Sequence, residues 1–355
     1  LMRKALVLIA FLLTPPAMAD ETLLPADLGE RVVERFVAST VTGFSAATEA
    51  LVTTSDALCA VPSVEHLATT RAAFGEVVES WGRLSVLRFG PLVSDNRFET
   101  VFFWPDPRGV TLKQVQAALL EQDPSVTDPE TLAGKSVALQ NLFALDYLLD
   151  GTDAATLATG DAHRCAYARA VAVMLSRQAH AIAAGWSEDA PIGGSFRDPG
   201  EDGYFRSQTE VMGELVKALL TGVDFVRSAE LLPALGETIA DARGKRAPLW
   251  RSDLTFALVR AQLTGLHDLL EATSLNESLP DANVSPVRNV LFNLEQASRA
   301  MDGITQPAEA AFGEVESRKR LDFVALQLGY SSTAIGEDMT ASLGLAMGFN
   351  ALDGD

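Results

Sequence analysis

The sequence predicts an all-α protein made of two antiparallel helical bundles. Alanine and leucine are abundant, runs of β-branched residues are scarce, and apolar residues recur at intervals of three and four, as at Leu28, Val32 and Phe36. This spacing gives each helix one apolar face. Long helices of this kind, joined by short connections, are typical of antiparallel bundles.

The predicted helices begin at recurrent capping signals. Thr111 with Gln114 resembles a capping box, and Asp128 followed by Pro129 predicts an N-cap with proline in the first turn. In chain order the predicted helices are 27–58, 63–86, 111–122, 129–150, 154–185, 204–231, 249–274, 284–303, 307–328 and 331–346.

Two segments interrupt the helical pattern. The first, "FGPLVSDNRFETVFFWPDPRG", has three prolines, two glycines and the aromatic cluster Phe102, Phe103 and Trp104, and it predicts a long irregular loop at about 89–110 that carries a function. The second, 186–203, is rich in Gly, Pro and Asp and predicts a linker. The predicted organisation is a signal peptide at 1–19, an N-terminal bundle at 20–190, a linker at 191–203 and a C-terminal bundle at 204–355.

The first residues have the composition of a secretory signal peptide. Arg3 and Lys4 precede a short apolar run that ends at Leu13, and the small-x-small triplet 17–19 predicts cleavage before Asp20. This run is too short for a membrane span, and no uninterrupted stretch of about 18 apolar residues follows it. Because no cysteine stands at the expected mature N-terminus, a lipid anchor is not predicted, and the expected location is the periplasm.

The chain is strongly acidic. It has 28 Lys and Arg against 47 Asp and Glu, a formal charge of -19, and loss of the signal peptide removes two more positive charges. Such a surface repels nucleic acids and anionic lipids, which are therefore poor candidates as partners. It suits cations or a basic partner, although an acidic surface also serves solubility alone.

The chain has two cysteines, Cys59 and Cys165. An even number of cysteines in an exported protein favours a disulfide between them, and two separate buried thiols are the alternative. Neither cysteine belongs to a zinc-binding or haem-attachment pattern.

Familiar catalytic motifs are absent from the sequence. It contains no H-E-x-x-H, G-x-S-x-G, phosphate-binding loop or dinucleotide fingerprint. His267 and Glu271 lie four residues apart and could share a metal, but a solvated side-chain pair explains the same spacing.

The most informative acid is Asp146, within the apolar segment "SVALQNLFALDYLLDG". A helix that is apolar nearly all round is an interior one, so Asp146 needs a partner, unless it faces water through a gap between helices. An arginine of the basic stretch "RGKRAPLWRSDLTF", which includes Arg251 and which we expect to open a helix, could clamp a carboxylate of the protein or of a ligand, or the stretch is a solvated basic turn. The acidic end "GFNALDGD" offers oxygen ligands for a hard cation, or is a frayed tail. The candidate ligand-binding residues are Arg88, Trp104, Asp106, Arg108, Trp250, Arg251, Ser252, Asp353 and Asp355.

Several segments together resemble the imelysin-like family of exported helical proteins, which includes proteins assigned as metallopeptidases and iron-related envelope proteins. The matching segments are "WGRLSVLRFGP", "FWPDPRG", "SVALQNLFALDYLL", "RCAYARAVA", "LWRSDLTF" and "GFNALDGD". The resemblance implies two helical bundles with a functional site between or beside them.

The resemblance also implies a metal site at a G-x-H-x-x-E motif. In this chain Asn141 stands at the glycine position, Phe143 at the histidine position and Asp146 at the glutamate position. Phenylalanine has no lone pair to bind a metal, so Asp146 is the only ligand that this motif retains. The cofactor implied is a divalent metal or iron, for which the sequence supplies no complete ligand set.

Three functions are consistent with these features. The first is a non-peptidase periplasmic binding protein that serves metal or iron acquisition, with a small ligand or a metal as its partner. The second is a divergent metallopeptidase that uses Asp146 with Asp106, Asp353 or a histidine. The third is an interaction module whose loop 89–109 binds another envelope protein, whereas aromatic residues of this kind more commonly close a core.

Overall fold

The computed structural model describes residues 24–345, and these residues form helices connected by turns and short 3-10 segments. Predicted sites at 1–19, Asp353 and Asp355 lie outside the described residues. The main helices are α1 (28–60), α2 (Val64–Leu84), α3 (Arg97–Val101), α4 (Val110–Leu120), α5 (Leu142–Asp150), α6 (Ala162–Gly185), α7 (208–235), α8 (Thr255–Ala272), α9 (Ser285–Asp302) and α10 (315–342).

Three of these helices contain a π-helical segment. The segments are Val33–Val37 in α1, Val226–Leu231 in α7 and Ala334–Met339 in α10. A π segment inserts extra backbone into a helix and re-aims its side chains, and it is frequent near functional sites.

The helices pack in two groups that share one apolar core. In the first half of the chain α1 packs against α2 and α6, and in the second half α9 packs against α8 and α10. Helix α2 packs against α8, which joins the two halves. Gly75 faces Leu254 and Gly82 faces Ala261, so α2 and α8 run in the same direction where they meet.

The structure confirms the all-α class but corrects several helix bounds. The predicted helix 129–150 consists of a short helix, Pro129–Leu132, a 3-10 turn and then α5. The predicted helices 307–328 and 331–346 are replaced by a short helix, Ala308–Ala311, and the continuous α10. The predicted linker 191–203 contains the helix Pro191–Arg197. Sequence periodicity therefore overestimated the length of the helix at 129–150 and missed both the continuity of α10 and the helix Pro191–Arg197.

The two helix-start predictions have different outcomes. Asp128 caps its helix as predicted, because its carboxylate accepts a hydrogen bond from Glu130 N–H. The capping box at Thr111 is wrong, since α4 already begins at Val110. The carboxylate of Asp106 caps α4 instead and accepts from the N–H groups of both Val110 and Thr111, at 2.8 Å each.

The predicted disulfide is confirmed. Cys59, at the end of α1, is bonded to Cys165, in the first turn of α6, with a Cα–Cα distance of 5.5 Å. The bond closes a loop over a sequence separation of 106 residues and ties together two helices that already pack side by side.

The irregular segment at 89–110 lies over the core and contributes Phe89, Phe98 and Phe102 to it, whereas Phe103 and Trp104 are partly exposed. Phe98 and Phe102 are buried, and both pack against Trp81 of α2, with ring centroids 5.4 and 6.0 Å away. The segment also contains α3 and a cis peptide bond between Trp104 and Pro105. Between residues 24 and 345, none of the helices has the length and apolarity needed to cross a bilayer.

Candidate functional site

The short helix α5 positions the residues that correspond to the family motif. It begins after Asn141, whose side-chain oxygen accepts hydrogen bonds from Phe143 N–H at 2.8 Å and Ala144 N–H at 3.0 Å. The Asn141 amide also donates to the carbonyl of Val137. The residue at the glycine position of the motif is therefore a buried N-cap that fixes the start of α5.

Arginines from two other helices bind the carboxyl end of α5. Arg164 of α6 donates to the carbonyls of Tyr147 and Leu148, and Arg71 of α2 donates twice to that of Leu149. These carbonyls are among the last of the helix, where only that of Tyr147 also accepts a backbone hydrogen bond, from Gly151 N–H at 2.9 Å. Two cations at this end therefore stabilise α5. The orientation of Phe143 and Asp146 is thus fixed from both ends of the helix.

Asp146 is buried, with 1% of its surface exposed, and it binds the second half of the chain. Its Oδ1 accepts hydrogen bonds from the N–H of Ser252 at 3.0 Å and from the hydroxyl of Ser252 at 2.7 Å. Its Oδ2 faces Arg251 Nη1 at 3.5 Å. The predicted arginine partner is present, but the shorter bonds come from Ser252.

Burial and hydrogen bonding have opposite effects on the pKa of Asp146. Burial raises this pKa above its ordinary value, whereas the bonds from Ser252 and the charge of Arg251 lower it. The N–H and hydroxyl of Ser252 and the guanidinium of Arg251 each need an acceptor, and the carboxylate of Asp146 supplies it.

Residues 249–254, "LWRSDL", form a strained turn before α8 and do not begin the helix as predicted. Leu249 and Asp253 have positive φ angles of 54° and 59°. Such values are costly for residues with a β-carbon and persist only where surrounding contacts hold them. Asp146 binds the turn through Ser252, and Asp253 Oδ1 accepts a hydrogen bond from Ala308 N–H at 2.9 Å.

Phe143, at the histidine position, belongs to an aromatic cluster. Its ring stacks on Trp104 with a centroid distance of 5.0 Å and lies 4.9 Å from the ring of Phe102. The indole N–H of Trp104 donates to the carbonyl of Ala229 in the π segment of α7, at 2.9 Å. Phe143 therefore links α5 to the irregular segment and, through Trp104, to the second half of the chain.

Trp250 and Arg251 form a partly exposed cation–aromatic group beside Asp146. The Arg251 guanidinium lies 4.6 Å from the Trp250 ring centroid and 5.7 Å from that of Tyr147. The Lys245 ammonium lies 4.9 Å from the Trp250 ring and also pairs with Glu309. With 23% of its side chain exposed, Arg251 can meet a ligand from solvent while it contacts Asp146.

Arg88 lies at the other end of the aromatic cluster. Its guanidinium is 3.9 Å from the ring centroid of Phe98 and 3.8 Å from that of Phe225. Burial lowers the pKa of Arg88 to about 10, although the charges of Glu230 and Glu99 raise it. Phe98 and Phe225 both pack against Phe102, so the cluster connects Arg88 with Phe143.

Sequence reasoning missed a buried polar pair next to Arg88. Glu230, in the π segment of α7, is fully buried, and its Oε1 accepts from the Gln262 amide at 2.9 Å. Glu230 Oε2 and Gln262 Oε1 have no hydrogen-bond partner among the described residues. Burial raises the pKa of Glu230 to about 7, against the Gln262 hydrogen bond and the Arg88 charge. The signal available in the sequence was an acid within the apolar stretch "SAELLPAL".

Two other candidates lie apart from Asp146. Asp106 is engaged as the cap of α4, and Arg108 is an exposed residue whose carbonyl accepts from the Lys113 ammonium. Asp353 and Asp355 lie outside the described residues. The structure thus brings together Asp146, Arg251 and Ser252, with Trp250 against Arg251. Phe143 is one helical turn from Asp146 on α5 and stacks on Trp104.

Comparison with known proteins identifies the family. The family model described as imelysin (peptidase M75) matches residues 39–335, most of the chain. The chain belongs to the imelysin family. A search of curated protein sequences returns no match for this imelysin.

Solved structures share the fold of this imelysin. An imelysin-like protein from Psychrobacter arcticum 273-4 superposes with a TM-score of 0.74 at 17% identity, covering 92% of this chain and 98% of that one. A protein from Parabacteroides distasonis ATCC 8503, named as an iron-regulated protein A precursor, superposes with a TM-score of 0.73 at 13% identity and the same coverage.

The residues at the imelysin motif do not fit a metal ion. Phe143 has no donor atom, Asp146 Oδ1 already accepts two hydrogen bonds, and Asp146 Oδ2 faces a guanidinium that repels a cation. Elsewhere in residues 24–345, no group of three or more His, Cys, Asp or Glu side chains is arranged to hold a metal. In this imelysin Asn141 instead caps α5, Phe143 packs in an aromatic cluster and Asp146 binds the turn before α8.

Proposed function

We propose that this imelysin is a non-peptidase binding protein of the periplasm that serves metal or iron acquisition. The observation that carries the non-peptidase part is the set of contacts around Asp146. The one acid that the motif retains is bound by Ser252 and Arg251, and it has no metal-binding neighbour at position 143.

Export to the periplasm is supported by two features. The N-terminal sequence has the composition of a signal peptide, and the Cys59–Cys165 disulfide suits an oxidising compartment. A role in iron acquisition is supported by membership of the imelysin family and by the name of the Parabacteroides distasonis protein that shares the fold.

We propose further that any metal arrives as an anionic complex whose own organic ligand fills the coordination sphere. Trp104, Phe143 and Trp250 are partly exposed aromatic residues, and Arg251 lies over the Trp250 ring with part of its side chain in solvent. Aromatic faces and a guanidinium are groups that bind planar or carboxylate-bearing ligands. They are poor groups for a bare cation.

The test measures binding by the purified mature protein, using melting temperature and metal content. The probes are Zn²⁺, Fe²⁺ and ferric citrate, each compared with citrate alone. We expect ferric citrate to raise the melting temperature and Arg251→Gln to reduce that increase, because the guanidinium binds the carboxylates. The control is Arg299→Gln, which removes an exposed arginine from α9.

Two results would contradict the proposal. Zn²⁺ binding that disappears in Asp146→Asn, together with zinc-dependent cleavage of a peptide library, would favour the metallopeptidase. Absence of binding by all three probes would reject the role in metal acquisition and leave a binding protein for another ligand.

A further inference from the structure

The two halves of the chain meet where α2 and α8 approach each other unusually closely. A β-carbon at Gly82 would lie 2.6 Å from the β-carbon of Ala261, and one at Gly265 would lie 2.8 Å from the carbonyl oxygen of Arg83. The two backbones touch at this point because these side chains are absent. The larger side chains next to this contact do not fit between α2 and α8, and they line a groove beside it.

The groove is a cavity of about 290 Å³ with a small apolar floor and charged walls. Glu79 and Arg83 of α2 form one wall, and Arg260 of α8 forms the other. The floor is made of Ala257, Ala261 and Thr264, whose spacing places them on the same face of α8 as Arg260. The groove is distinct from the cluster around Asp146, since none of the Asp146 contacts lines it.

Both arginines are held in place by the second half of the chain. Arg83 Nη2 donates to Asp268 Oδ2 at 2.6 Å, and Arg260 Nη1 donates to the carbonyl of Met301 at 3.3 Å. A guanidinium has five N–H donors, so each tether leaves further donors for a ligand. Because the tethers restrict the side chains, less conformational entropy is lost when a ligand binds.

We propose that this groove binds a small zwitterion with a carboxylate and an ammonium group, such as a free aliphatic α-amino acid. The carboxylate accepts hydrogen bonds from Arg83 and Arg260, since a guanidinium matches a carboxylate in shape and charge. The ammonium donates to Glu79, one helical turn from Arg83. The methyl groups of Ala257 and Ala261 contact the aliphatic side chain.

The experiment compares three probes on the wild-type protein by calorimetry and by melting temperature. L-leucine has both charges, N-acetyl-L-leucine has only the carboxylate, and L-leucinamide has only the ammonium. We expect leucine to bind most tightly, N-acetyl-leucine roughly tenfold more weakly because Glu79 loses its partner, and leucinamide not to bind at millimolar concentration.

Variants assign the binding to this groove. Arg260→Gln should weaken leucine binding roughly tenfold or more, whereas Glu79→Gln should weaken leucine without affecting N-acetyl-leucine. Arg299→Gln on α9 is the matched control and should bind as the wild type does. Failure of leucine to bind the wild type, binding of leucinamide equal to that of leucine, or unchanged binding in Arg260→Gln would each overturn the proposal. The wild-type series decides even if a variant fails to fold, and it is independent of the ferric citrate result.

Discussion

Ser252 donates both its backbone N–H and its hydroxyl to one oxygen of Asp146, across 106 residues of sequence. This pair fastens a helix of the first half of the chain to a strained turn of the second half. Asp146 is buried, and its bonds to Ser252 fix the turn that carries the partly exposed Arg251 and Trp250. The stability of the protein should therefore depend strongly on Asp146.

Replacement of Asp146 by alanine should destabilise the fold by about 3–5 kcal/mol, because the donors of Ser252 and the Arg251 charge lose their partner. Asp146→Asn keeps an oxygen for Ser252 and should cost less, about 1 kcal/mol. The measurement is the free energy of unfolding in urea. Equal stability of the wild type and Asp146→Ala would show that the turn does not need this carboxylate.

Glu230 should make the protein less stable as pH rises. Its pKa of about 7 in the folded state lies above the ordinary value of 4.5, so the folded state keeps a proton that the unfolded chain has lost. The free energy of unfolding should therefore fall between about pH 4.5 and 7, by on the order of 3 kcal/mol from this group, and remain level above that range.

Glu230→Gln should remove this part of the pH dependence and stabilise the protein at pH 8, where its amide can donate to the unpaired Gln262 Oε1. Urea unfolding measured from pH 4 to pH 8 gives the comparison, with the exposed Glu237→Gln as the control. Burial raises the pKa of Asp150 to about 6, so a smaller decline in the free energy of unfolding should remain in both variants. A decline unchanged in Glu230→Gln would assign the effect to other groups.

Restoration of the motif histidine should not by itself create a zinc site. Phe143→His supplies one ligand, but Asp146 remains bound to Ser252 and Arg251, and the ring contacts with Trp104 and Phe102 are lost. We expect loss of stability by about 2–4 kcal/mol with no specific Zn²⁺ binding by calorimetry. Tight, stoichiometric zinc binding by this single variant would mean that Asp146 exchanges its partners easily.

Loss of the disulfide should destabilise the protein without changing the fold. A closed loop near 100 residues corresponds to about 4–5 kcal/mol in the chain-entropy model, and measured effects are commonly smaller. The double variant Cys59→Ala with Cys165→Ala should therefore melt at a lower temperature than the wild type and keep the same helical circular dichroism. Reducing agent should lower the melting temperature of the wild type only.

The sequence predicted the fold class, the disulfide and an arginine partner for Asp146 from the basic stretch that contains Arg251. Helical periodicity, the cysteine count and the cost of a buried acid are properties of the chain itself. The sequence of the turn at 249–254 resembles the start of a helix, because positive φ at Leu249 and Asp253 leaves no trace in residue type. Glu230 and Gln262 were missed because their burial depends on how distant helices pack.

The placement of tryptophans gives the molecule a built-in optical reporter. Trp81 and Trp186 are buried in the core, whereas Trp104 and Trp250 are partly exposed, one stacked on Phe143 and the other against Arg251. Because Trp104 and Trp250 contact solvent and the core pair does not, iodide or a bound ferric complex should quench the fluorescence of Trp104 and Trp250 more than that of Trp81 and Trp186. Binding of a ligand beside Trp104 or Trp250 can thus be followed by intrinsic fluorescence, without a label.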